Sequence, residues 1–150
     1  MQKNIEALKI LFSLINEYNK NNSKKIIWAL TGSLSLYLQG VDVNTSTDID
    51  ILTDKFGSET IDKLLSNYTI KKSQYSGTEK FRSYFGIYQI LGIQVEIMGD
   101  LQYLSNKGTR TKDNLNKNII EKKYLGMNIP LFDLKYEMKV YKEMGRLEKT

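Results

Sequence analysis

The chain has 150 residues, of which 41% are hydrophobic and 11% aromatic, and it carries a formal charge of +5 without a histidine or a cysteine. The length predicts one globular domain spanning residues 1–150. The absence of both residue types excludes a Ser-His-Asp triad, a thiolate nucleophile and the usual structural zinc site. Any chemistry must therefore use carboxylate, amine, guanidinium or hydroxyl groups, and carboxylates prefer a hard divalent ion such as Mg²⁺ or Mn²⁺.

The charge and hydropathy patterns bear on location and partners. No run approaches the roughly twenty apolar residues of a membrane span, and no export signal opens the chain, so we expect a cytoplasmic protein. The pI near 9.2 is compatible with an anionic partner such as a nucleotide or RNA. The basic residues are scattered, however, which favours a surface that is simply rich in lysine.

The first elements in chain order are a helix, a strand and a turn. Apolar residues spaced by three and four predict an amphipathic helix over residues 5–19. The apolar segment 26–30 predicts a buried strand that ends at the turn Thr31-Gly32-Ser33, and a short helix follows over residues 34–39.

The next predicted strand, residues 47–52, carries two aspartates. Acidic and aliphatic residues alternate there, so Asp48 and Asp50 leave one face while Ile49 and Ile51 enter the core. Ser58 and the apolar spacing after it predict a helix to about residue 67.

The middle of the chain favours strands, at residues 68–70, 80–91 and 93–98. In the last of these, Glu96 shares a face with Gln94 and Met98, and Gly99 is expected to end the strand. Residues 99–118 predict a mobile loop, residues 119–125 and 127–131 a further strand pair, and residues from Asp133 onward a final helix.

Asp48, Asp50 and Glu96 are candidate metal ligands and catalytic residues. Two acids separated by one residue occur about twice by chance in a chain of this composition, so the context carries the argument. Transfer of a phosphoryl or nucleotidyl group requires the phosphate charge to be neutralised, which two metal ions between carboxylates achieve. This hypothesis requires Glu96 to lie on the same face of the sheet as the two aspartates.

The turn Thr31-Gly32-Ser33 is a candidate nucleotide-binding element. A glycine permits close approach of the backbone to a phosphate, and Ser33 and the N–H groups of the following helix offer hydrogen-bond donors. An ordinary strand-to-helix turn with a serine cap is the alternative.

Together, Thr31-Gly32-Ser33 after one strand, Asp48-x-Asp50 on the next and Glu96 on a later strand resemble the polymerase-β-like nucleotidyltransferase superfamily. Local similarity to small single-domain bacterial and archaeal members extends almost to the C-terminus. The resemblance implies an α/β (α+β) fold, with a mixed sheet of about five strands flanked by helices. It also implies that Gly32 and Ser33 hold the triphosphate and that Asp48, Asp50 and Glu96 bind Mg²⁺ or Mn²⁺.

The sequence departs from the superfamily pattern at two places. The third acid is more often aspartate, which leaves Asp100 as an alternative to Glu96. No arginine follows Ser33, so the basic residues that contact the nucleotide must come from elsewhere, and the candidates are Lys80, Arg82, Lys139 and Arg146.

The resemblance predicts an enzyme that transfers a nucleoside monophosphate from an NTP, most simply ATP, to a hydroxyl and releases pyrophosphate. The acceptor, a small molecule, protein or RNA, is left open, as are base preference and homodimer formation. The rival hypothesis is a non-catalytic nucleotide-binding or regulatory module, for example a toxin-antitoxin partner, that keeps the fold.

Overall fold

The computed structural model describes residues 2–41, 48–112, 115–133 and 135. These residues form three α-helices, which are α1 (Gln2–Asn21), α2 (Gly32–Leu38) and α3 (Lys55–Leu64). The helices predicted over residues 5–19 and 34–39 are therefore confirmed. None of the helices in these ranges is long and apolar enough to cross a membrane.

The same residues form eight strands: β1 (Trp28–Thr31), β2 (Ile49–Thr53), β3 (Thr69–Gly77), β4 (Phe81–Ile90), β5 (Ile93–Leu104), β6 (Arg110–Lys112), β7 (Ile119–Tyr124) and β8 (Met127–Phe132). One mixed sheet contains them in the order β3-β4-β5-β2-β1-β8-β7, and β6 pairs with β5. The pairs β2/β5 and β1/β8 are parallel and the others antiparallel.

The mixed α and β architecture is as predicted, but the expected strand number of about five is too small. The sheet is widened by the β7–β8 hairpin, which joins the free side of β1, and by β6. Strand β6 has only three residues and no apolar side chain, so its sequence carries no strand signal. It forms because β5 is long enough to offer it a partner.

The two faces of the sheet differ in what covers them. On one face, aliphatic residues of β1, β2, β5 and β8 pack against α1 and α3 and form the main core, which includes Leu8, Leu11, Ile49, Ile51 and Ile97. On the opposite face, a smaller apolar cluster surrounds Leu52 and Phe132. Strand alternation assigns Asp50 and Glu96 to this second face, because their neighbours Ile49, Ile51 and Ile97 enter the main core.

The prediction that Gly99 ends its strand is wrong. Strand β5 continues to Leu104, and Gly99 pairs with Thr53 of β2. A β-carbon added at Gly99 would lie 2.7 Å from the Ser58 β-carbon and hydroxyl oxygen of α3. Glycine is therefore required at this position because a helix packs tightly on the strand, and the break in sequence pattern does not mark a break in structure.

The regular pairing of β5 with β4 is interrupted one residue after Gly99 by a β-bulge. Asp100 and Leu101 together face the single residue Ser83 of β4, and Asp100 has a positive φ of 51°. A bulge bends and twists its strand, which lets β5 leave the sheet plane and recruit β6. Much of the segment predicted as a mobile loop is therefore ordered β-structure.

Helix α3 begins four residues earlier than a cap at Ser58 predicts. Asp54, and not Ser58, is its N-cap, and the Asp54 carboxylate accepts a hydrogen bond from the Gly57 N–H at 2.7 Å. Ser58 is fully buried instead, and its hydroxyl donates to the carbonyl of Lys55. The serine pattern that suggested a cap thus reflects packing within the first turn.

A partly buried hydrogen bond joins α3 to the outer strands. The hydroxyl of Tyr88 on β4 donates to Asp62 Oδ1 at 2.6 Å, and the Ser73 N–H of β3 donates to the same oxygen at 3.0 Å. Burial raises the pKa of the Tyr88 phenol far above its usual range, and the neighbouring Asp62 raises it further. This contact holds the β3–β4 hairpin against the helix layer.

Candidate active site

Asp50 and Glu96 occupy neighbouring positions on adjacent strands. Asp50 of β2 is in parallel register with Glu96 of β5, and on its other side it pairs with Thr31 of β1. Adjacent strands are about 4.8 Å apart, and register partners project from the same face. The condition set by the sequence hypothesis for Glu96 is thus met: it lies on the face of Asp50 and directly beside it.

The turn after β1 packs against the side chain of Asp50. Gly32 has a φ of +71°, and a β-carbon at this position would lie 2.4 Å from Asp50 Oδ2. The Asp50 carboxylate therefore rests against the α-carbon of Gly32, where a side chain would displace it. Ser33 follows in the first turn of α2 and is exposed. The predicted nucleotide-binding turn and the predicted metal ligand meet at this point.

Asp48 lies just before β2 and is exposed. It follows residues 42–47, which are outside the described ranges. Within those ranges, no three acidic side chains are close enough together to hold a metal ion. The arrangement is therefore a pair, Asp50 and Glu96, with Asp48 at the entrance of the same strand. The donors suit a hard divalent cation, because carboxylate oxygens are the ligands such ions prefer.

Of the two candidates for the third acid, Glu96 and Asp100, the structure places only Glu96 beside Asp50. Asp100 lies on the bulge and forms an ion pair with Lys112, with 3.1 Å between its Oδ1 and the Lys112 ammonium. It lines a separate cavity of about 390 Å³ together with Asp54, Leu52 and Phe132. The carboxylate of Glu96 has no hydrogen bond or ion pair with any residue that the structure describes.

The predicted basic residues are not gathered at this pair. Lys80 lies just before β4, and Arg82 lies near the start of that strand, where it pairs with Gln102. Ile87 is the β4 residue in register with Glu96, and Arg82 is five positions from it, or roughly 17 Å along the strand. Lys139 and Arg146, with most of the predicted final helix, lie outside the described residues.

Two residues near the acid pair were missed by sequence reasoning. Ile87 of β4 is the register partner of Glu96, and Lys71 of β3 is the register partner of Ile87. Strand β3 was predicted as residues 68–70 only, which ended it before Lys71. Most of the residues that follow are polar and most are exposed, so alternating hydrophobicity, the signal that reveals a strand, is absent from them.

A mixed sheet with helices on one face, with Asp50 against the turn at Gly32 and Glu96 beside it on the next strand, is the arrangement expected of a nucleotidyltransferase of the polymerase-β-like superfamily. The sequence model of aminoglycoside-2''-adenylyltransferase matches residues 13–149, and the chain belongs to that family. The comparison with curated proteins gives no match.

Two solved structures share the fold. One is a candidate nucleotidyltransferase of Thermotoga maritima, TM1012, which is 39% identical with a TM-score of 0.84 over 97% of this chain and 86% of that chain. The other is the lincosamide antibiotic adenylyltransferase LnuA in its lincomycin-bound form, 16% identical with a TM-score of 0.53 over 93% of this chain and 95% of that chain. The second resemblance concerns the fold alone.

Proposed function

We propose that this nucleotidyltransferase moves a nucleoside monophosphate from an NTP, most simply ATP, to a hydroxyl of a small molecule and releases pyrophosphate. The observation that supports this most strongly is the register of Thr31, Asp50 and Glu96, with Asp50 against Gly32. Two acids on adjoining strands beside a turn without a side chain suit a bound triphosphate and its cations.

Asp48, Asp50 and Glu96 are the residues that would hold Mg²⁺ or Mn²⁺, and Gly32 and Ser33 those that would contact the triphosphate. The metal supplies neutralisation of the phosphate charge and orientation of the α-phosphate. Asp50 has a defined orientation, because Gly32 limits where its carboxylate can lie. The Glu96 carboxylate has no hydrogen bond or ion pair with a described residue, which suits a group that must bind a cation or accept a proton.

The transfer step forms one bond and breaks one. The acceptor oxygen bonds to the α-phosphorus, and the bond between that phosphorus and the oxygen bridging to the β-phosphorus breaks, so pyrophosphate leaves. The proton of the acceptor hydroxyl passes to the Glu96 carboxylate and then to solvent. Attacking and leaving oxygens must be roughly in line, which requires acceptor and pyrophosphate on opposite sides of the α-phosphate.

A small-molecule acceptor is preferred over RNA or a protein. The family model is named for an enzyme that adenylylates an aminoglycoside, and LnuA is named for lincosamide antibiotics. Both names describe adenylyl transfer to a small molecule. Binding of RNA, homodimer formation and a cytoplasmic location stay predictions from the sequence.

The test is pyrophosphate release from labelled ATP with Mg²⁺ and a panel of cationic, neutral and anionic hydroxyl compounds. We expect release that requires both Mg²⁺ and one of the acceptors, and that Asp50→Asn abolishes. Glu59→Gln, an exposed acid on α3, is the matched control and keeps the activity. Nucleotide binding that ignores Mg²⁺ and survives Asp50→Asn would contradict the proposal and favour the regulatory module.

A further inference from the structure

Beyond Glu96, the register row continues across the sheet to Ile87 of β4 and Lys71 of β3. Phe85 lies on the same face, because it is two residues from Ile87 and pairs with Met98. The Lys71 ammonium is 6.0 Å from the centroid of the Phe85 ring, which confirms that both side chains project on this face. We call the surface formed by Ile87, Phe85 and Lys71 the platform.

Among the residues that the structure describes, the platform lies outside the core. Ile87 and Phe85 are half-buried and belong to neither apolar cluster of the described residues, and Lys71 is exposed. Two apolar side chains beside a charged site expose surface that a ligand can cover. Lys71 is two strands from Glu96, or roughly 10 Å between α-carbons, so a molecule of one or two rings spans the distance.

The position of the platform relative to the Gly-Ser turn indicates its ligand, an argument that rests on the proposed function. If Gly32 and Ser33 contact the leaving pyrophosphate on the β1 side of Asp50, the attacking hydroxyl approaches from the opposite side. That side is the β5–β4–β3 side, where Glu96 is followed by Ile87 and Lys71. The platform is therefore the surface that the acceptor contacts.

The charge of the platform bears on the acceptor class. Strands β3 and β4 contain Lys71, Lys72 and Arg82 and not one aspartate or glutamate. A polycationic acceptor such as an aminoglycoside needs carboxylates around its amines, and on these strands it would meet Lys71 instead. An apolar ring fits Ile87 and Phe85, and an anionic substituent complements the Lys71 ammonium.

We propose that the acceptor is a hydroxylated small molecule with an apolar ring and an anionic group, bound with its ring on Ile87 and Phe85 and its anionic group at Lys71. In this arrangement its hydroxyl faces Glu96. Lys71 acts as a specificity-determining residue, because it selects the charge of the acceptor without taking part in bond making.

The test uses three fragments that share a ring and differ in charge: phenyl phosphate, benzyl alcohol and benzylamine. Each is titrated into the ¹⁵N-labelled full chain with a non-hydrolysable ATP analogue and Mg²⁺, and amide shifts are followed by NMR. We expect phenyl phosphate to shift the amides of Phe85, Ile87 and Lys71 and to bind about tenfold more tightly than benzylamine, with benzyl alcohol between them.

Three substitutions test whether Lys71 and Phe85 determine the affinity for the fragments. Lys71→Gln should lower the affinity for phenyl phosphate to that for benzyl alcohol, whereas Lys72→Gln, the same change on the neighbouring residue, should leave it unchanged. Phe85→Leu should weaken all three fragments. Tighter binding of benzylamine, no effect of Lys71→Gln, or shifts confined to Gly32 and Ser33 would overturn the inference.

Failure of this inference is distinguishable from failure of the proposed function. Shifts of Phe85 and Ile87 caused by the ATP analogue alone would assign the platform to the nucleobase and overturn the inference. Transfer of nucleotide to an aminoglycoside would also overturn it, yet that result would support nucleotidyl transfer itself. No response of Gly32, Ser33 or Asp50 to the analogue would count against the proposed function.

Discussion

Asp50 and Glu96 stand side by side on two parallel strands, with Thr31 on the far side of Asp50. In the sequence, β3 and β4 lie between these two acids. In the sheet, both strands lie beyond β5, so that β5 pairs directly with β2. Two like charges on neighbouring strands repel each other. We propose that a cation bound between them offsets this repulsion.

Alanine substitution of two glycines distinguishes the effect of displacing Asp50 from the effect of backbone strain. Gly32→Ala places a methyl carbon 2.4 Å from Asp50 Oδ2 and also strains a backbone with positive φ. Gly40→Ala is the matched control, because Gly40 has a φ of +90° but no atom within 4 Å of an added β-carbon. Both should lose about 1–2 kcal/mol of unfolding free energy by thermal denaturation.

Only Gly32→Ala should also lose nucleotidyl transfer, by about a hundredfold or more, because Asp50 is displaced. Equal activity in the two variants would show that the contact between Gly32 and Asp50 has no part in function.

The two candidates for the third acid give opposite expectations. Glu96→Gln should lower the rate of transfer by about 100- to 10,000-fold, because the amide neither binds the cation well nor accepts a proton. Asp100→Asn should leave the rate nearly unchanged, since Asp100 is paired with Lys112. Steady-state rates at saturating ATP make the comparison, and the reverse order of the two variants would assign the role to Asp100.

Tyr88→Phe tests the link between α3 and the β3–β4 hairpin. Loss of the hydrogen bond to Asp62 should lower the unfolding free energy by about 1.5–3 kcal/mol at neutral pH, measured by urea denaturation. The exposed tyrosine variant Tyr37→Phe is the control and should be close to wild type.

Alkaline pH should weaken the wild-type protein through the same residue. The pKa of Tyr88 is raised in the folded state, so above pH 10 the unfolded chain loses the phenolic proton while the folded chain keeps it. Stability contributed by Tyr88 is complete below about pH 10 and falls above it by about 1.4 kcal/mol per pH unit. The slope should be shallower by this amount in Tyr88→Phe, and an unchanged slope would contradict the assignment.

The local part of the site could be predicted from sequence, because alternation in residues 47–52 fixes the face of Asp50. The same alternation around Glu96 fixes its face relative to its own strand. That β5 lies next to β2 does not follow from either pattern, since strand pairing is decided by packing across the whole sheet.

Two other features escaped prediction for different physical reasons. Gly99 reads as a strand end, yet the close approach of Ser58 requires a glycine within a continuous strand. Lys71 lies on an exposed edge strand without alternating hydrophobicity, so only its register with Ile87 reveals that it shares a face with Glu96. In both positions the deciding contact comes from a distant part of the chain.

The most direct measurement is a crystal structure of the protein soaked with Mn²⁺ and a non-hydrolysable ATP analogue, with anomalous diffraction to locate the metal. We expect anomalous density between Asp50 and Glu96, within ligand distance of Asp48, and the triphosphate against Gly32 and Ser33. Metal at Asp54 and Asp100 instead, or a nucleotide bound away from the Gly-Ser turn, would contradict the account.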